Sequence, residues 1–232
     1  MFQNNPCKQQ IKTVASFDAL MECEFRGTLN AVCWERNLTG DFLEIVSKLE
    51  LEEDITEIST EDLLSLKLSE KGNMARSCIL NDLDLLTKAG ALPSLNLLKC
   101  YERDDVFDFI STDVYSFHVD RSPVATSTFL CTYFGAASEI LPNADALKKV
   151  SIPKVREQLA KIYDGDEADF EKFLVDNYFD LHYEAKSGSR PINLGVGNLW
   201  KLAVDHPGQK SLPCVHRAPI EKTGELRLLL IC

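Results

Sequence analysis

The segment Glu225-Leu226-Arg227-Leu228-Leu229-Leu230-Ile231 places one guanidinium inside an otherwise apolar run. Alternate side chains of a strand share a face, so Arg227, Leu229 and Ile231 fall on one side and Leu226, Leu228 and Leu230 on the other. Neither side suits water. The segment is therefore expected as an inner strand covered on both faces, with one cation pointed into the interior. A buried guanidinium is costly unless it meets an anion. That anion is either one of the 36 Asp and Glu side chains of the chain or a bound carboxylate, which the planar fork of Arg matches.

The chain has 232 residues, 45% of them hydrophobic and 26% charged. This is enough for one fair-sized domain or one core with an added subdomain. The net charge of −11 disfavours broad binding to nucleic-acid phosphates but leaves room for a local basic pocket. No apolar run approaches the roughly 20 residues that span a membrane. Met1–Gln10 (MFQNNPCKQQ) lacks the apolar core of a secretory signal. A soluble cytoplasmic protein with no membrane partner is expected. The eight cysteines include no Cys-x-x-Cys pair, which excludes a zinc ribbon and a dithiol redox motif. Several lie in apolar strand-like runs (Leu130-Cys131-Thr132, Leu230-Ile231-Cys232), where cysteine acts as a small core residue, and they are expected as free thiols.

The first 90 residues read mainly as helix. Thr39-Gly40-Asp41 can cap a segment with Phe42, Ile45, Val46 and Leu49 at helical spacing, and Ser59-Thr60-Glu61-Asp62 leads into Leu63, Leu64, Leu66 and Leu68, a short second helix. Asn73 can cap a longer helix with Ile79, Leu80, Leu83, Leu86 and Ala89 on its buried side and Gly90 as terminator. From Leu92 the texture changes to short runs rich in β-branched and aromatic residues: Leu92–Tyr101, Asp105–Ile110, Asp113–Val119 and Thr126–Phe134. Helical spacing returns from about Asn143 to Asn177, and strands resume at Leu194–Val204, Pro213–His216 and Glu225–Cys232. The expected fold class is α+β: a double-stranded β-helix, or jelly roll, over residues 91–232. A helical layer from residues 1–90 packs on it, and a helical insert covers about 143–180.

His118 and Asp120, in Phe117-His118-Val119-Asp120, sit two apart at the end of a strand-like run, so imidazole and carboxylate face one point. With the distal His216, in Val215-His216-Arg217-Ala218-Pro219, they make a two-histidine, one-carboxylate set that leaves three positions open on a metal. His182 and His206 have no carboxylate at ligand spacing and read as surface residues, while Trp200 reads as core. Gly195-Val196-Gly197 precedes a strand rather than a helix, which rejects a dinucleotide fingerprint.

His-x-Asp on an early strand, a distal His on a late strand and an Arg about ten residues beyond resemble the non-haem iron(II), 2-oxoglutarate-dependent oxygenases, a cupin-like superfamily with a double-stranded β-helix. The resemblance implies iron(II) held by His118, Asp120 and His216. It implies Arg227 on the distal carboxylate of 2-oxoglutarate. More closely, four motifs resemble the bacterial domain-of-unknown-function 1826 family, over roughly residues 95–232: Phe117-His118-Val119-Asp120; Leu130-Cys131-Thr132-Tyr133-Phe134-Gly135 with Ser138-Glu139-Ile140-Leu141-Pro142-Asn143; Val215-His216-Arg217-Ala218-Pro219; and Arg227-Leu228-Leu229-Leu230. The chain departs from that pattern at Ser138-Glu139-Ile140, for Thr-Glu-Trp, and at Ala218, for Ser. It also has Leu229 where such oxygenases often carry Ser or Thr two residues after the Arg.

Tyr133 can donate its hydroxyl to the co-substrate carboxylate or serve as a core residue. Arg121 and Arg217 can draw an anionic substrate or pair with carboxylates such as Glu139. The reading is an Fe(II)- and 2-oxoglutarate-dependent oxygenase acting on a small molecule, an amino acid or a protein side chain. Its rivals are a cupin-like metalloprotein holding another divalent metal without 2-oxoglutarate, and a non-enzymatic ligand-binding module.

Overall fold

The computed structural model describes residues 10–220, 222 and 224–232; Cys7 and nearly all of the segment weighed as a secretory signal lie outside them. In chain order the strands are β1 (Ile11–Val14), β2 (Ala31–Trp34), β3 (Ile55–Glu57), β4 (Ser94–Leu98), β5 (Phe117–His118), β6 (Ser127–Phe134), β7 (Glu139–Ile140), β8 (Ala146–Lys148), β9 (His182–Ala185), β10 (Ile192–Asn193), β11 (Leu199–Ala203), β12 (His216–Arg217) and β13 (Arg227–Ile231). The helices are α1 (Phe17–Glu22), α2 (Phe42–Lys48), α3 (Thr60–Ser65), α4 (Glu70–Lys88), α5 (Pro153–Ile162) and α6 (Phe170–Asp176).

The strands form two sheets, of seven in the order β1-β2-β11-β6-β13-β4-β3 and of six in the order β10-β7-β12-β5-β9-β8. The fold is thus mixed α+β with two largely antiparallel sheets; among the named strands only β1 and β2 pair in parallel. β13 lies between β4 and β6, inside the larger sheet, and both of its faces are covered over Arg227–Leu230, whereas Ile231 at its end is exposed. Leu228 and Leu230 pack with Leu95, Leu97, Phe129 and Cys131 against Ile45, Leu63, Ile79 and Leu86 of the helices. Leu229 turns the other way, into an apolar space shared by Leu98, Leu130, Trp200 and Leu202 of the larger sheet with Ile140 of the smaller and with Ala137 and Cys214, which precede β7 and β12. A strand with two buried faces has no polar alternation, which is why this one reads as a continuous apolar run.

Local chemistry explains the helix starts. Asp41 accepts the Glu44 amide, and Ser59 with Asp62 forms a reciprocal capping box. The long helix starts a turn earlier than expected. Ser69, not Asn73, accepts the Gly72 amide at its N-terminus, and Asn73 instead donates to the Leu68 carbonyl from the helix's own first turn. Gly135, with φ 85°, lets the chain leave β6 where an added Cβ would stand 2.4 Å from the Leu226 carbonyl oxygen.

Several expectations need correction. Residues 1–90 are not a helical layer alone, because β1, β2 and β3 belong to the larger sheet. The run Asp105–Ile110 forms no strand, since Phe107, Phe109 and Ile110 join Val150, Leu159, Leu174 and Phe179 in a separate apolar cluster beneath α5 and α6. The 143–180 insert is not wholly helical: it contributes β8, which pairs with β9 of the smaller sheet. Short strands such as β7, β9 and β10 escape pattern reading because two to four residues carry too little periodicity. No disulfide joins any two of the seven described cysteines. No helix among the described residues is long and apolar enough to cross a membrane.

Candidate metal centre

The smaller sheet sets the site by register. His118 on β5 pairs directly with His216 on β12 and, on its other side, with His182 on β9. Directly opposed residues share a face, and His216 also opposes Ile140, which lies in the core between the sheets. Three imidazoles therefore form one row on the inward face. Asp120 follows β5 by two residues, where the Asp205 amide donates to its carbonyl at 2.8 Å.

His118, Asp120 and His216 can each present one ligand atom such that all three lie within 4.8 Å of one another. His118 Nε2 is 3.9 Å from Asp120 Oδ1, and His216 Nε2 is 3.7 Å from Asp120 Oδ2. The rings of the two histidines are 4.6 Å apart. Donors about 2.1 Å from one ion stand roughly 3.0–3.6 Å apart, so the two histidine–carboxylate separations are slightly wider than those of a closed site. The protonation pattern also fits. His118 Nδ1 lies 2.8 Å from the Ser116 carbonyl oxygen and His216 Nδ1 lies 3.2 Å from that of Cys214. A carbonyl can only accept, so both Nδ1 atoms carry the proton, and Nε2 is the nitrogen that each ring can offer to a metal. Such a hydrogen bond behind the ligating nitrogen fixes tautomer and ring orientation.

Asp120 is held by the Thr128 hydroxyl, which donates to Oδ2 from the inward face of β6. Burial disfavours charge on Asp120, but the neighbouring His216 and the Thr128 hydrogen bond outweigh it and leave the carboxyl below its usual range. Burial, reinforced by His216, pushes His118 below the usual imidazole range. Burial likewise pushes His182 down to about 4, with His118 and Lys149 adding to the effect. The site thus offers two imidazole nitrogens and one carboxylate oxygen, the donor set a divalent first-row metal takes.

Those depressed histidines make stability depend on pH. Below the unfolded-state pKa the unfolded chain takes up protons that folded His118 and His182 refuse, so stability falls as pH drops from about 6.5 toward 4. Between pH 7 and pH 5 each histidine is expected to cost the metal-free protein about 2 kcal/mol. Urea midpoints at the two pH values check this against His182→Phe, which should flatten the slope; an equally steep slope in the variant would remove His182 from the account.

Arg227 is buried and faces the same space between the sheets, with Nη2 3.4 Å from Ser138 Oγ. Ser138 directly precedes β7, the neighbour of the β12 strand that carries His216.

Tyr133 does not join the site. Its side chain is on the opposite face of β6, stacked on Phe42 with ring centroids 5.6 Å apart, and its hydroxyl donates to Asp82 Oδ2 at 2.7 Å. The core alternative holds for Tyr133, because odd-numbered β6 residues such as Phe129 and Cys131 face the helices. Arg121 and Arg217 are likewise not poised to draw an anion. Arg121 donates to both oxygens of Asp180 and, at 3.0 Å, to Asp205. Arg217 donates to Glu139 at 2.7 and 3.0 Å, across the β12–β7 pair, and lies over the Phe117 ring. Each guanidinium braces the segment that carries the preceding ligand.

Two residues were missed. Thr128 gives no sequence signal, since its partner Asp120 is set by sheet packing. His182, expected at the surface, is only 4% exposed; a histidine between Leu181 and Tyr183 was the available hint.

Compared with protein-family models, with curated proteins and with solved structures, the chain matches none. The family resemblance therefore rests on the motifs of its own sequence.

Proposed function

We propose that this chain is a non-haem Fe(II)- and 2-oxoglutarate-dependent oxygenase whose two sheets form a double-stranded β-helix. The observation that carries the reading is the convergence of His118, Asp120 and His216 on one inward-facing point, with their donor nitrogens in the ligating tautomer. Iron(II) bound there would supply the redox chemistry by which dioxygen hydroxylates a substrate C–H bond while 2-oxoglutarate is oxidised to succinate and carbon dioxide. The chain's own residues bind and orient. Asp120 contributes the negative charge, Thr128 fixes the carboxylate, and the carbonyls of Ser116 and Cys214 hold the two rings. Arg227 offers a guanidinium on the same inner face for a carboxylate of the co-substrate. The apolar residues between the sheets, among them Leu229, Leu130 and Trp200, exclude water.

One observation favours a second reading. Leu229 is 2% exposed and stands where such oxygenases often carry a hydroxyl beside the Arg. A metalloprotein of the same architecture that holds another divalent ion and uses Arg227 for a different anion needs no hydroxyl there.

Thermal denaturation with manganese(II), alone and with 2-oxoglutarate, separates the two. Additive stabilisation by both supports the oxygenase; stabilisation by metal alone supports the second reading. Arg227→Ala and Arg227→Lys should keep the metal response and lose the 2-oxoglutarate response, because Lys keeps the charge but not the fork. A 2-oxoglutarate response that survives in both variants would make Arg227 an internal structural cation.

A further inference from the structure

β12, which carries His216, is only two residues long, so its own ladder fixes little of its course. The segment ahead of it is held by side-chain amides. Asn30, directly before β2 of the larger sheet, is 1% exposed. Its Nδ2 donates to the carbonyls of Leu212 at 3.0 Å and Pro213 at 3.1 Å, and to Asn143 Oδ1 at 2.8 Å. Asn143, just after β7, donates from Nδ2 to the same Pro213 carbonyl at 3.0 Å, and Gln10 Oε1 accepts its backbone amide at 2.9 Å. Backbone carbonyls only accept, so the side-chain atoms facing them are the amide nitrogens.

The Pro213–Cys214 peptide is thereby pinned at both ends. Its oxygen accepts from Asn30 and Asn143, and its N–H donates to the Ala203 carbonyl at 2.8 Å. Ala203, at the end of β11, donates in turn to the Asn30 carbonyl at 2.9 Å, so Asn30 and Ala203 act as one anchor. A peptide is planar, and fixing its oxygen and its N–H fixes its orientation. The next carbonyl along is that of Cys214, which accepts from His216 Nδ1 at 3.2 Å and so sets how the ring is turned. The contacts run from a buried amide of one sheet to a metal ligand of the other. The site needs that spacing, since Thr128 reaches Asp120 from the same larger sheet.

We propose that Asn30 and Asn143 are positioning residues of the metal centre: by holding the Pro213 carbonyl they fix the Cys214 carbonyl, and with it the ring of His216. The inference rests on the metal reading above. Both residues act through the backbone and touch neither the ion position nor a ligand side chain, so their effect is on how well the donor set is aimed.

The test titrates the full chain with manganese(II) below its unfolding transition and follows affinity by calorimetry and ligand geometry by the manganese EPR line shape. Asn30→Ala is expected to bind manganese about tenfold more weakly, the lower end of the loss for an outer partner of a metal ligand, because it acts one peptide further out. Its line shape should change as the ring of His216 loosens. Asn30→Asp, which keeps the shape and gives up the donors, should lose as much. Asp82→Ala, whose network lies on the opposite face of the larger sheet, is the stability control. It should destabilise the fold and keep the wild-type affinity and line shape, which separates positioning from a merely structural role. If the Asn30 variants do not fold, Asn143→Ala, which removes the second donor to the Pro213 carbonyl, carries the same comparison. Wild-type affinity and line shape in the asparagine variants overturn the positioning role and leave the metal reading intact. An equal loss of affinity in Asp82→Ala also overturns it, since affinity would then follow stability alone. A wild type that binds no manganese removes the metal reading and this inference together.

Discussion

His216→Ala is expected to weaken manganese(II) or iron(II) binding by more than about 100-fold, beyond the roughly 10–100-fold that loss of an outer-shell partner costs. The variant removes one of the two imidazole nitrogens in the donor set, and His182 cannot replace it, since it sits on the far side of His118. Asp120→Asn should do as much damage with almost no change of shape, because it removes the one negative charge in the donor set. Thr128→Val keeps all three ligands and loses only the hydrogen bond to Asp120, so a drop nearer tenfold is expected. The thermal response should follow the same order. A metal at about 100 times its Kd adds about 2.7 kcal/mol to the wild type, or about 5–10 °C in Tm for a chain of this size. That gain should vanish in His216→Ala and Asp120→Asn. Calorimetric titration showing wild-type affinity in either variant would dissolve the site.

Asp82→Ala is expected to cost about 3–5 kcal/mol of folding stability, because it strands a buried charge. Asp82 is 1% exposed and accepts from Arg36 Nη1 at 2.6 Å, from Arg36 Nη2 at 2.9 Å and from the Tyr133 hydroxyl at 2.7 Å. Arg36 is equally committed: Nε donates to the Gly197 carbonyl at 3.0 Å, and the guanidinium lies 4.4 Å from the centre of the Trp34 ring. This network ties the middle of α4 to β6 and to the turn before β11, on the opposite face of the sheet from the metal centre. Removing the carboxylate leaves a guanidinium and a phenol without their acceptor in an apolar layer. Replacing both ions together, Asp82→Leu with Arg36→Met, should cost less than either change alone, since a buried pair gives back little more than its desolvation penalty. Urea denaturation of the two single variants and the double variant measures this. A loss below about 1 kcal/mol for Asp82→Ala would show that water reaches the network.

Asp82 also marks the limit of pattern reading. It occupies the buried stripe of α4 between Ile79 and Leu86 at helical spacing, so the oddity was visible as a carboxylate among core positions. Its partners were not, because Arg36 and Tyr133 come from distant segments. β13 is the reverse case. Its seven-residue pattern specified an inner strand with a cation turned inward, and it lies so, with Leu228 and Leu230 against the helices and Leu229 between the sheets. Tyr133 was ambiguous for a definable reason: its motif neighbours locate the strand, but only the parity of β6 relative to the helices decides which face it takes.

From residue order alone came the properties that local periodicity and side-chain chemistry can encode: an acidic, mixed α+β chain, the inner strand at its C-terminal end, the stretches that start its short helices, and three metal-competent side chains. Folding added which distant strands stand beside one another. The pairing of β5 with β12 brings His118 against His216, and that with β9 adds His182, while ion pairs claim Arg121 and Arg217 and the helices claim Tyr133. The reason is physical: a strand's periodicity reports which faces are buried, but its neighbours are chosen by burial and hydrogen bonding summed over the whole sheet, and no short window of sequence contains that sum.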